Sequence, residues 1–331
     1  MPPPEINLTL DVLALAPKTR REYKNALLQF FEYCSRFNYT AHTAEELDTV
    51  LFDYIHFEFH SPGRDGRQHV NKVMSAIKHL VPEVRNALPR SHKCLTGWEV
   101  LRPSQQTTPC PHDLALAIAL TFRSEERFDL SLAVLLCFDT MCRVSEILSL
   151  RRIDVIISRP PLRTVALDLG TETKTARGVR ESVDVSTLLV RELLVRYMKS
   201  IPEPPGTKLF SFNDDQFREA LKPVTARFFP TSSAPPSILP HSFRHGMATR
   251  LAMLKNVDVN HIRLRGRWKD VRERGFRRYL QVAPFLLTQI KTTESAHAYI
   301  KEVNADPGKF FILKLASDGQ SLGVGKDDVR L

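Results

Sequence analysis

The chain has 331 residues, of which 43% are hydrophobic and 25% are charged. This length allows two domains, and this balance is that of an ordinary globular protein. The net charge of +10 indicates an anionic partner. No apolar run reaches the roughly 18 residues that a membrane-spanning helix needs, which argues against a membrane protein.

Cysteine usage and the first residues bear on the cellular compartment. The opening sequence, MPPPEINLTLDVLALAPKTRR, lacks the basic start and long apolar core of a secretory signal peptide. The five cysteines form neither C-x-x-C pairs nor a zinc-binding spacing. Both observations favour reduced thiols in a soluble, intracellular protein, either nuclear or cytoplasmic. The cysteines are Cys34, Cys94, Cys110, Cys137 and Cys142.

The N-terminal third of the chain predicts four helices. Thr19 and Glu22 have the spacing of a capping box, and apolar residues recur at helical spacing behind them. Similar stripes predict a second helix over 44–58 and a third that ends at Pro82, and a short fourth helix surrounds Trp98. The patterns therefore predict a small all-α domain, although they would fit any four-helix domain.

A change of composition marks the domain boundary. The segment Leu101–Pro111, LRPSQQTTPCP, is polar, contains prolines and has no periodicity. These features are typical of a linker. The sequence therefore predicts one domain over 1–105 and a second over 106–331.

The second domain begins with a strongly apolar helix, predicted over 125–138 and buried on most sides. It leads into DTMCRVSEILSL, in which Arg143 emerges from apolar surroundings. A guanidinium is costly to bury unless it is paired, and Glu146 lies three residues further along the same helical face. The residues alone leave open whether Arg143 serves this ion pair or binds a ligand.

Three short β-branched or alternating runs follow, at 154–157, 164–169 and 179–185. They predict a small antiparallel sheet. The overall fold class is therefore mainly α with a small antiparallel β-sheet. Lys174 and Arg177 lie in the turn between the second and third runs, where most lysines are simply solvated.

The segment from His241 to Tyr279 combines basic, aromatic and nucleophilic side chains. His241 and Arg244 are one helical turn apart, and residues 250–278 hold ten Lys or Arg against three Asp or Glu. Such a basic surface typically holds polyphosphate, and a tyrosine within it can act as a nucleophile toward phosphorus. Taken singly, a histidine at a helix start or a tryptophan such as Trp268 is more often a packing residue.

Together these segments resemble the tyrosine recombinase (phage integrase) family. The family's first motif is similar to the sequence around Arg143, and its His-x-x-Arg motif is matched by His241 and Arg244. A Gly-x-Trp and then a tyrosine complete the signature at Trp268 and Tyr279. The step of 11 residues between these last two is longer than is usual for the family.

The resemblance, which covers about residues 18–300, implies a role for each matched residue. Tyr279 attacks a DNA phosphodiester, and His241 eases its deprotonation. Lys174 is favoured over Arg177 as the general acid, because arginine does not readily release a proton. No metal, cofactor or ATP is required. The implied catalytic residues are Arg143, Lys174, His241, Arg244, Trp268 and Tyr279, with Glu146 supporting Arg143.

The resemblance also implies an activity and partners. The expected function is site-specific recombination of double-stranded DNA through a covalent 3′-phosphotyrosine, in an enzyme of a mobile element. The helical domain over 1–105 would clamp the DNA, the α+β domain over 106–331 would catalyse, and four copies would act on synapsed DNA. Two alternatives stay open: a type IB topoisomerase, and a domesticated DNA-binding protein without catalysis.

Overall fold

The computed structural model describes residues 15–61, 66–103, 107–158, 164–171, 173, 179–201, 204–231, 236–268 and 279–306. The predictions for Lys174 and Arg177, and the chain between Trp268 and Tyr279, lie outside these described residues. The chain divides into two compact units, Met1–Gln105 and Gln106–Leu331. The DNA-clamping and catalytic roles expected of these units stay predictions.

The first unit is built from helices. The first helix begins at Pro17, because proline fits the first turn, where its missing N–H is not needed. The capping box predicted at Thr19 is therefore wrong, and the described box lies at Thr43, whose hydroxyl accepts from the N–H of Glu46 at 3.2 Å. The helices are α1 (Pro17–Arg36), α2 (Ala44–His60), α3 (Gly66–Leu80), a 3₁₀ turn (Pro82–Asn86) and α4 (Pro89–Leu101).

Two features hold this unit together. Phe30, Tyr33 and Tyr54 are buried and meet edge to face or tilted, with ring centroids 4.8–5.1 Å apart for the pairs that include Tyr54. The buried carboxylate of Asp48 accepts from the main-chain N–H groups of Arg90 and Ser91, each at 2.9 Å. These N–H groups belong to the first turn of α4, where a negative charge is stabilising, so Asp48 fastens α4 to α2.

The second unit is also mainly helical. Its core lies around α5 (His112–Ser124) and α6 (Phe128–Asp139), and α6 is buried from Leu130 to its end, as its apolar sequence predicts. The helix α10 (Pro240–Met253) packs against α6, and α13 (Glu294–Ala305) packs against α5. The helices are α5 (His112–Ser124), α6 (Phe128–Asp139), α7 (Val144–Ser149), α8 (Leu188–Ser200), α9 (Asp214–Ala226), α10 (Pro240–Met253), α11 (Val259–Arg265), α12 (Val282–Ile290) and α13 (Glu294–Ala305).

A sheet of three antiparallel strands, in the order β1–β2–β3, packs on this core. The strands are β1 (Val155–Ile157), β2 (Val165–Gly170) and β3 (Glu181–Asp184). Leu167 pairs with Val155 on one side and Val183 on the other, so buried side chains align across the sheet. The predicted fold class, mainly α with a small antiparallel sheet, is confirmed. No helix in the described ranges is both long and apolar enough to span a membrane.

Candidate active site

Helix α10 presents the predicted His-x-x-Arg pair to one face of the second unit. His241 and Arg244 are one turn apart, His245 follows at the next position, and Thr249 continues the same face a turn later. Arg244 is 0% exposed, and it is the largest fully buried side chain among the described residues. A cation in this position requires partners at the same depth.

Two main-chain carbonyls supply those partners. Nη1 of Arg244 donates to the carbonyl of Met141, and Nη2 donates to the carbonyl of Gly266. Nε is also buried and has no hydrogen-bond partner among the described residues. Burial lowers the pKa of Arg244, and the nearby charges of Arg143 and Arg267 lower it further, while Tyr279 opposes them. The guanidinium thus joins the end of α6, the end of α11 and the start of α10.

Both carbonyls come from helix ends with left-handed backbone. Met141 follows α6 with φ 53°, and Arg267 follows α11 with the same value. Left-handed residues end helices by turning the chain sharply, and here each turn leaves a carbonyl facing Arg244. The guanidinium position is therefore fixed by backbone geometry at two separate helix ends.

An aromatic cluster surrounds Tyr279. Its ring centroid lies 4.5 Å from that of Trp268, 4.3 Å from that of His245 in a stacked arrangement, and 5.7 Å from that of His241. The Cζ of Arg244 lies 4.8 Å from the Trp268 ring centroid and 5.5 Å from that of Tyr279. Four of the six predicted catalytic residues therefore meet in one place.

The main chain at Tyr279 is fastened to α10. The hydroxyl of Thr249 donates to the carbonyl of Tyr279 at 2.9 Å and accepts from the N–H of Gln281 at 3.1 Å. The Nε2 of Gln281 lies 3.2 Å from Nδ1 of His245. Because these contacts hold the carbonyl of Tyr279 and the side chain and main chain of Gln281, α10 fixes where the phenol lies.

Arg143 occupies the N-cap of α7 beside Glu146. Its main-chain N–H donates to one carboxylate oxygen of Glu146 at 2.7 Å, and Nη1 donates to the other at 2.5 Å. Arg143 is 24% exposed, whereas the Glu146 side chain is only 6% exposed. Arg143 also perturbs His241 and Arg244 electrostatically, so the fifth predicted residue belongs to the same neighbourhood.

The sixth predicted catalytic residue, Lys174, lies outside the described residues, but its neighbour Thr173 does not. The hydroxyl of Thr173 donates to the carboxylate of Glu181 at 2.6 Å. The same carboxylate lies 3.6 Å from Nε of Arg267, whose Nη2 donates to Glu146. The chain position next to Lys174 is thus linked to the site by two polar contacts.

The two histidines are kept neutral by their surroundings. Burial lowers the pKa of His241 to about 4, and the cations Arg244 and Arg143 add to the effect. Burial, then His241 and Arg244, lower the pKa of His245 to about 3. Near neutral pH both imidazoles are uncharged, so each can accept a proton or a hydrogen bond.

This burial predicts an acid-sensitive fold. Because both histidines titrate near 6.5 when unfolded but near 4 and 3 when folded, the unfolded chain binds more protons between those values. The free energy of unfolding should therefore fall as the pH drops from 6.5 toward 4, by up to about 1.4 kcal/mol per pH unit for each histidine. Denaturant titrations at pH 7, 6 and 5 measure this slope.

Two variants test whether the pH dependence of the free energy of unfolding comes from the site histidines. His245→Phe preserves the ring stack on Tyr279 and should flatten the pH dependence, whereas His297→Gln alters an exposed histidine of α13 and should not. An equal slope in wild type and His245→Phe would contradict the assignment.

Gly266 is required by the indole above it. A Cβ built at Gly266 would lie 1.9 Å from a ring carbon of Trp268. We expect Gly266→Ala to displace the indole and to lower the free energy of unfolding by about 1–3 kcal/mol, as overpacking does. Denaturant titration measures the loss, and near-UV circular dichroism reports the indole.

Gly97→Ala is the matched control for Gly266→Ala. Gly97 lies inside α4, and an added Cβ would meet nothing within 4 Å. This change should stabilise the protein slightly, because alanine is the better helix former. If Gly266→Ala were as well tolerated as Gly97→Ala, the close contact with Trp268 would not hold.

Some site residues were not predicted from the sequence. Arg267 lies in an arginine-rich stretch, and nothing in that composition distinguishes it from its neighbours. Thr249 and Gln281 lack any motif, although Thr249 shares the helical face of His241. Residue type and position alone favour a structural role for His245, whose ring in fact packs directly on Tyr279.

The chemistry of the cluster is that of an anion site. The described residues contain no group of three or more His, Cys, Asp or Glu that could hold a metal ion. Arg143, Arg244 and Arg267 bring three guanidinium groups together with one buried carboxylate, that of Glu146. The site therefore combines a phenol, neutral imidazoles and excess positive charge.

Comparisons with known proteins found similarity to solved structures only. No family model matches the chain, and no curated protein matches it. Among solved structures, the chain is similar to the crystal structure of XerA recombinase, with 16% identity and a TM-score of 0.37. The match covers 88% of this chain and 93% of that one. A likeness at this level does not assign an activity, so the function rests on the site itself.

Proposed function

We propose that this chain is a site-specific tyrosine recombinase that cuts and rejoins double-stranded DNA. The observation that carries the proposal is the position of Tyr279, whose ring packs on His245 and Trp268 beside the guanidinium of Arg244. A phenol surrounded by neutral imidazoles and several arginines suits attack on a phosphodiester, whose charge the cations balance.

The proposed reaction exchanges one phosphate ester for another. The phenolic oxygen of Tyr279 forms a bond to phosphorus, and the bond from phosphorus to the 5′-oxygen breaks. The products are a 3′-phosphotyrosine and a free 5′-hydroxyl. Because the ester bond is exchanged rather than hydrolysed, a 5′-hydroxyl from a partner strand reverses the step without ATP.

His241 is proposed to assist removal of the phenolic proton. Tyrosine has an ordinary pKa near 10, so few phenolates exist at neutral pH without help. Burial lowers the pKa of His241 to about 4, which leaves its imidazole uncharged and able to accept. An arriving phosphate brings negative charge that favours the imidazolium, so proton transfer becomes easier when substrate is bound.

The arginines are proposed to stabilise charge on the pentacoordinate transition state. Arg143 is the partly exposed member, and its planar fork suits two non-bridging oxygens. Arg244 is bound to two carbonyls and fully covered, so in this state its contribution is a fixed positive field. The indole N–H of Trp268 is proposed as a further donor to the phosphate.

Lys174 is proposed to protonate the leaving 5′-oxygen. Arg177 is the local competitor, but its guanidinium holds its proton too tightly for this task. The contacts of Thr173 with Glu181, and of Glu181 with Arg267, support a link between this turn and the site.

The partner, the roles of the two units and the number of copies are also part of the proposal. The net charge of +10 supports an anionic partner, which we take to be DNA. The helical unit over 1–105 would clamp the duplex, the unit over 106–331 would catalyse, and four copies would act on synapsed DNA of a mobile element. A type IB topoisomerase and a non-catalytic DNA-binding protein are the alternatives to be tested.

A suicide substrate tests the proposal directly. A pool of duplexes with a randomised core replaces the unidentified target site. Each duplex carries a nick, so the short fragment with the new 5′-hydroxyl is lost after cleavage and the strand cannot be rejoined. Wild type should form an adduct that survives boiling in detergent and disappears with protease. Mass spectrometry of the digested adduct should place the nucleotide on Tyr279.

Plasmid substrates separate the alternatives. Recombinant product supports the recombinase, whereas relaxation without recombinant product supports the topoisomerase. Binding to the duplex pool with neither adduct nor relaxation would leave the non-catalytic DNA-binding protein and would overturn the proposal.

A further inference from the structure

Arg267 stands where glycine is ordinarily favoured. Helix α11 ends at Arg265 with Gly266 as its C-cap, and the next two N–H groups fold back. Arg267 donates to the carbonyl of Leu264 at 2.9 Å, and Trp268 donates to that of Arg263 at 3.0 Å. This pair of bonds forms a Schellman motif, whose residue after the cap is left-handed. Arg267 has φ 53°, a conformation that is unfavourable for residues with a Cβ.

The glycine of this turn lies one position earlier, for a separate reason. Gly266 is right-handed, with φ −78°, so the turn does not require its conformational freedom. It is covered by the indole of Trp268, which leaves no room for a Cβ. The unfavourable conformation at Arg267 therefore needs an explanation in its side chain.

That side chain is buried among carboxylates. It is 9% exposed, its Nη2 donates to Oε2 of Glu146, and its Nε lies 3.6 Å from an oxygen of Glu181. Burial acts to lower the pKa of Arg267, but Cys142, Glu146 and Glu181 outweigh it and raise that pKa. Both guanidinium groups stay charged near neutral pH, but the pKa of Arg267 is raised whereas that of Arg244 is lowered to about 10.

Glu146 is shared between two arginines. One oxygen accepts from Nη1 of Arg143, and the other accepts from the main-chain N–H of Arg143 and from Nη2 of Arg267. If Glu146 had Arg143 alone, the pair would be neutral and the carboxylate would hold that guanidinium more tightly. With Arg267 the charge of Glu146 is divided between two guanidinium groups, so Glu146 neutralises Arg143 less completely.

We propose that Arg267 is a positioning residue for strand cleavage, which holds Glu146 and thereby leaves Arg143 oriented and incompletely neutralised for the scissile phosphate. This inference rests on the proposed function, because it assigns Arg267 a part in that reaction. Arg267 does not itself reach the phosphate, since its guanidinium is turned toward the two carboxylates.

Two substitutions separate this role from a structural one. Arg267→Gly removes the positive charge and makes the left-handed conformation favourable. Arg267→Lys keeps the positive charge and leaves the left-handed conformation unfavourable. We expect Arg267→Gly to lower the single-turnover rate of adduct formation at saturating DNA by about 10- to 100-fold, the usual effect of losing a group that orients a charged ligand. Its dissociation constant for DNA should stay close to that of wild type, and Arg267→Lys should retain most of the rate.

Stability measurements distinguish a positioning role of Arg267 from a structural one. A structural arginine would make Arg267→Gly less stable in denaturant titration and reduce its rate only through the unfolded fraction. A positioning arginine predicts a slow but well-folded Arg267→Gly. A slow Arg267→Lys alongside a normal Arg267→Gly would overturn the proposal, because backbone conformation would then matter more than charge.

A double-mutant cycle tests whether Arg267 acts through Glu146. If it does, Arg267→Gly should have little further effect once Glu146→Gln has removed the shared carboxylate. Full additivity of the two losses would overturn the proposal. The proposed function is rejected separately, if the wild-type protein itself forms no adduct. If wild type and Arg267→Gly form the adduct at the same rate, only the role of Arg267 is rejected.

Discussion

Replacing Tyr279 with phenylalanine is expected to abolish the covalent protein–DNA adduct and to leave the fold intact. The phenolic oxygen is the atom that would bond to phosphorus, so its removal ends the reaction rather than slowing it. The ring contacts with His245 and Trp268 need only the ring carbons, which phenylalanine preserves. The hydrogen bond from Thr249 reaches the main-chain carbonyl of Tyr279, so it also survives.

Two measurements check this expectation. The nicked duplex pool should give no detectable detergent-stable adduct with Tyr279→Phe. Denaturant titration should show a change in the free energy of unfolding of less than about 1.5 kcal/mol, the contribution of a typical hydrogen bond at most. A folded variant without adduct assigns the loss to chemistry.

Tyr299→Phe is the matched control, because it removes a hydroxyl from the same unit. Tyr299 lies on α13, packs against the core and stacks on Phe228 with ring centroids 6.4 Å apart. Its variant should form adduct at the wild-type rate. Adduct formation by Tyr279→Phe, or its loss in Tyr299→Phe, would show that the nucleophile has been assigned to the wrong residue.

The sequence was most informative where side-chain pattern alone determines structure. The continuous apolar run of α6 predicted a buried helix, and alternating residues predicted the sheet, because burial fixes both patterns. The spacing of His241 and Arg244 placed them on one face of α10 for the same reason. The start of α1 was missed, since Pro17 and the box at Thr19 are competing signals and proline begins the helix.

Backbone geometry accounts for what the sequence could not predict in the site. The carbonyls that bind Arg244 come from turns that contain the left-handed residues Met141 and Arg267, and neither residue type signals that conformation. The sharing of Glu146 by Arg143 and Arg267 depends on the end of α11 meeting the start of α7. Such a meeting is decided by tertiary packing, which a local pattern does not contain.

Arg244→Lys is expected to damage both stability and chemistry, because lysine cannot replace a fork that joins two carbonyls. The carbonyls of Met141 and Gly266 are bound by separate nitrogens of one planar group. A single ammonium group can serve one of them well, and each buried polar group left unsatisfied costs about 1–3 kcal/mol. We therefore expect the free energy of unfolding to fall by about that amount.

The rate of adduct formation should fall further than stability explains. Lysine keeps the charge but not its fixed position, and loss of one preorganised group typically costs about 10²–10³ in rate. The shift of the two helix ends would also move Trp268, which follows Gly266 and packs on Tyr279. Rates are to be measured in a single turnover on the duplex pool, at a temperature where denaturant titration shows the variant folded.

Arg250→Lys supplies the comparison within the same helix. Arg250 lies near the end of α10, and the charges of Asp113 and Asp139 act on its guanidinium. Because a lysine there keeps the charge and no fork between carbonyls is lost, its adduct rate should match wild type. Equal rates for Arg244→Lys and Arg250→Lys would mean that the buried fork, and the exact position it gives to the charge, are not needed for the reaction.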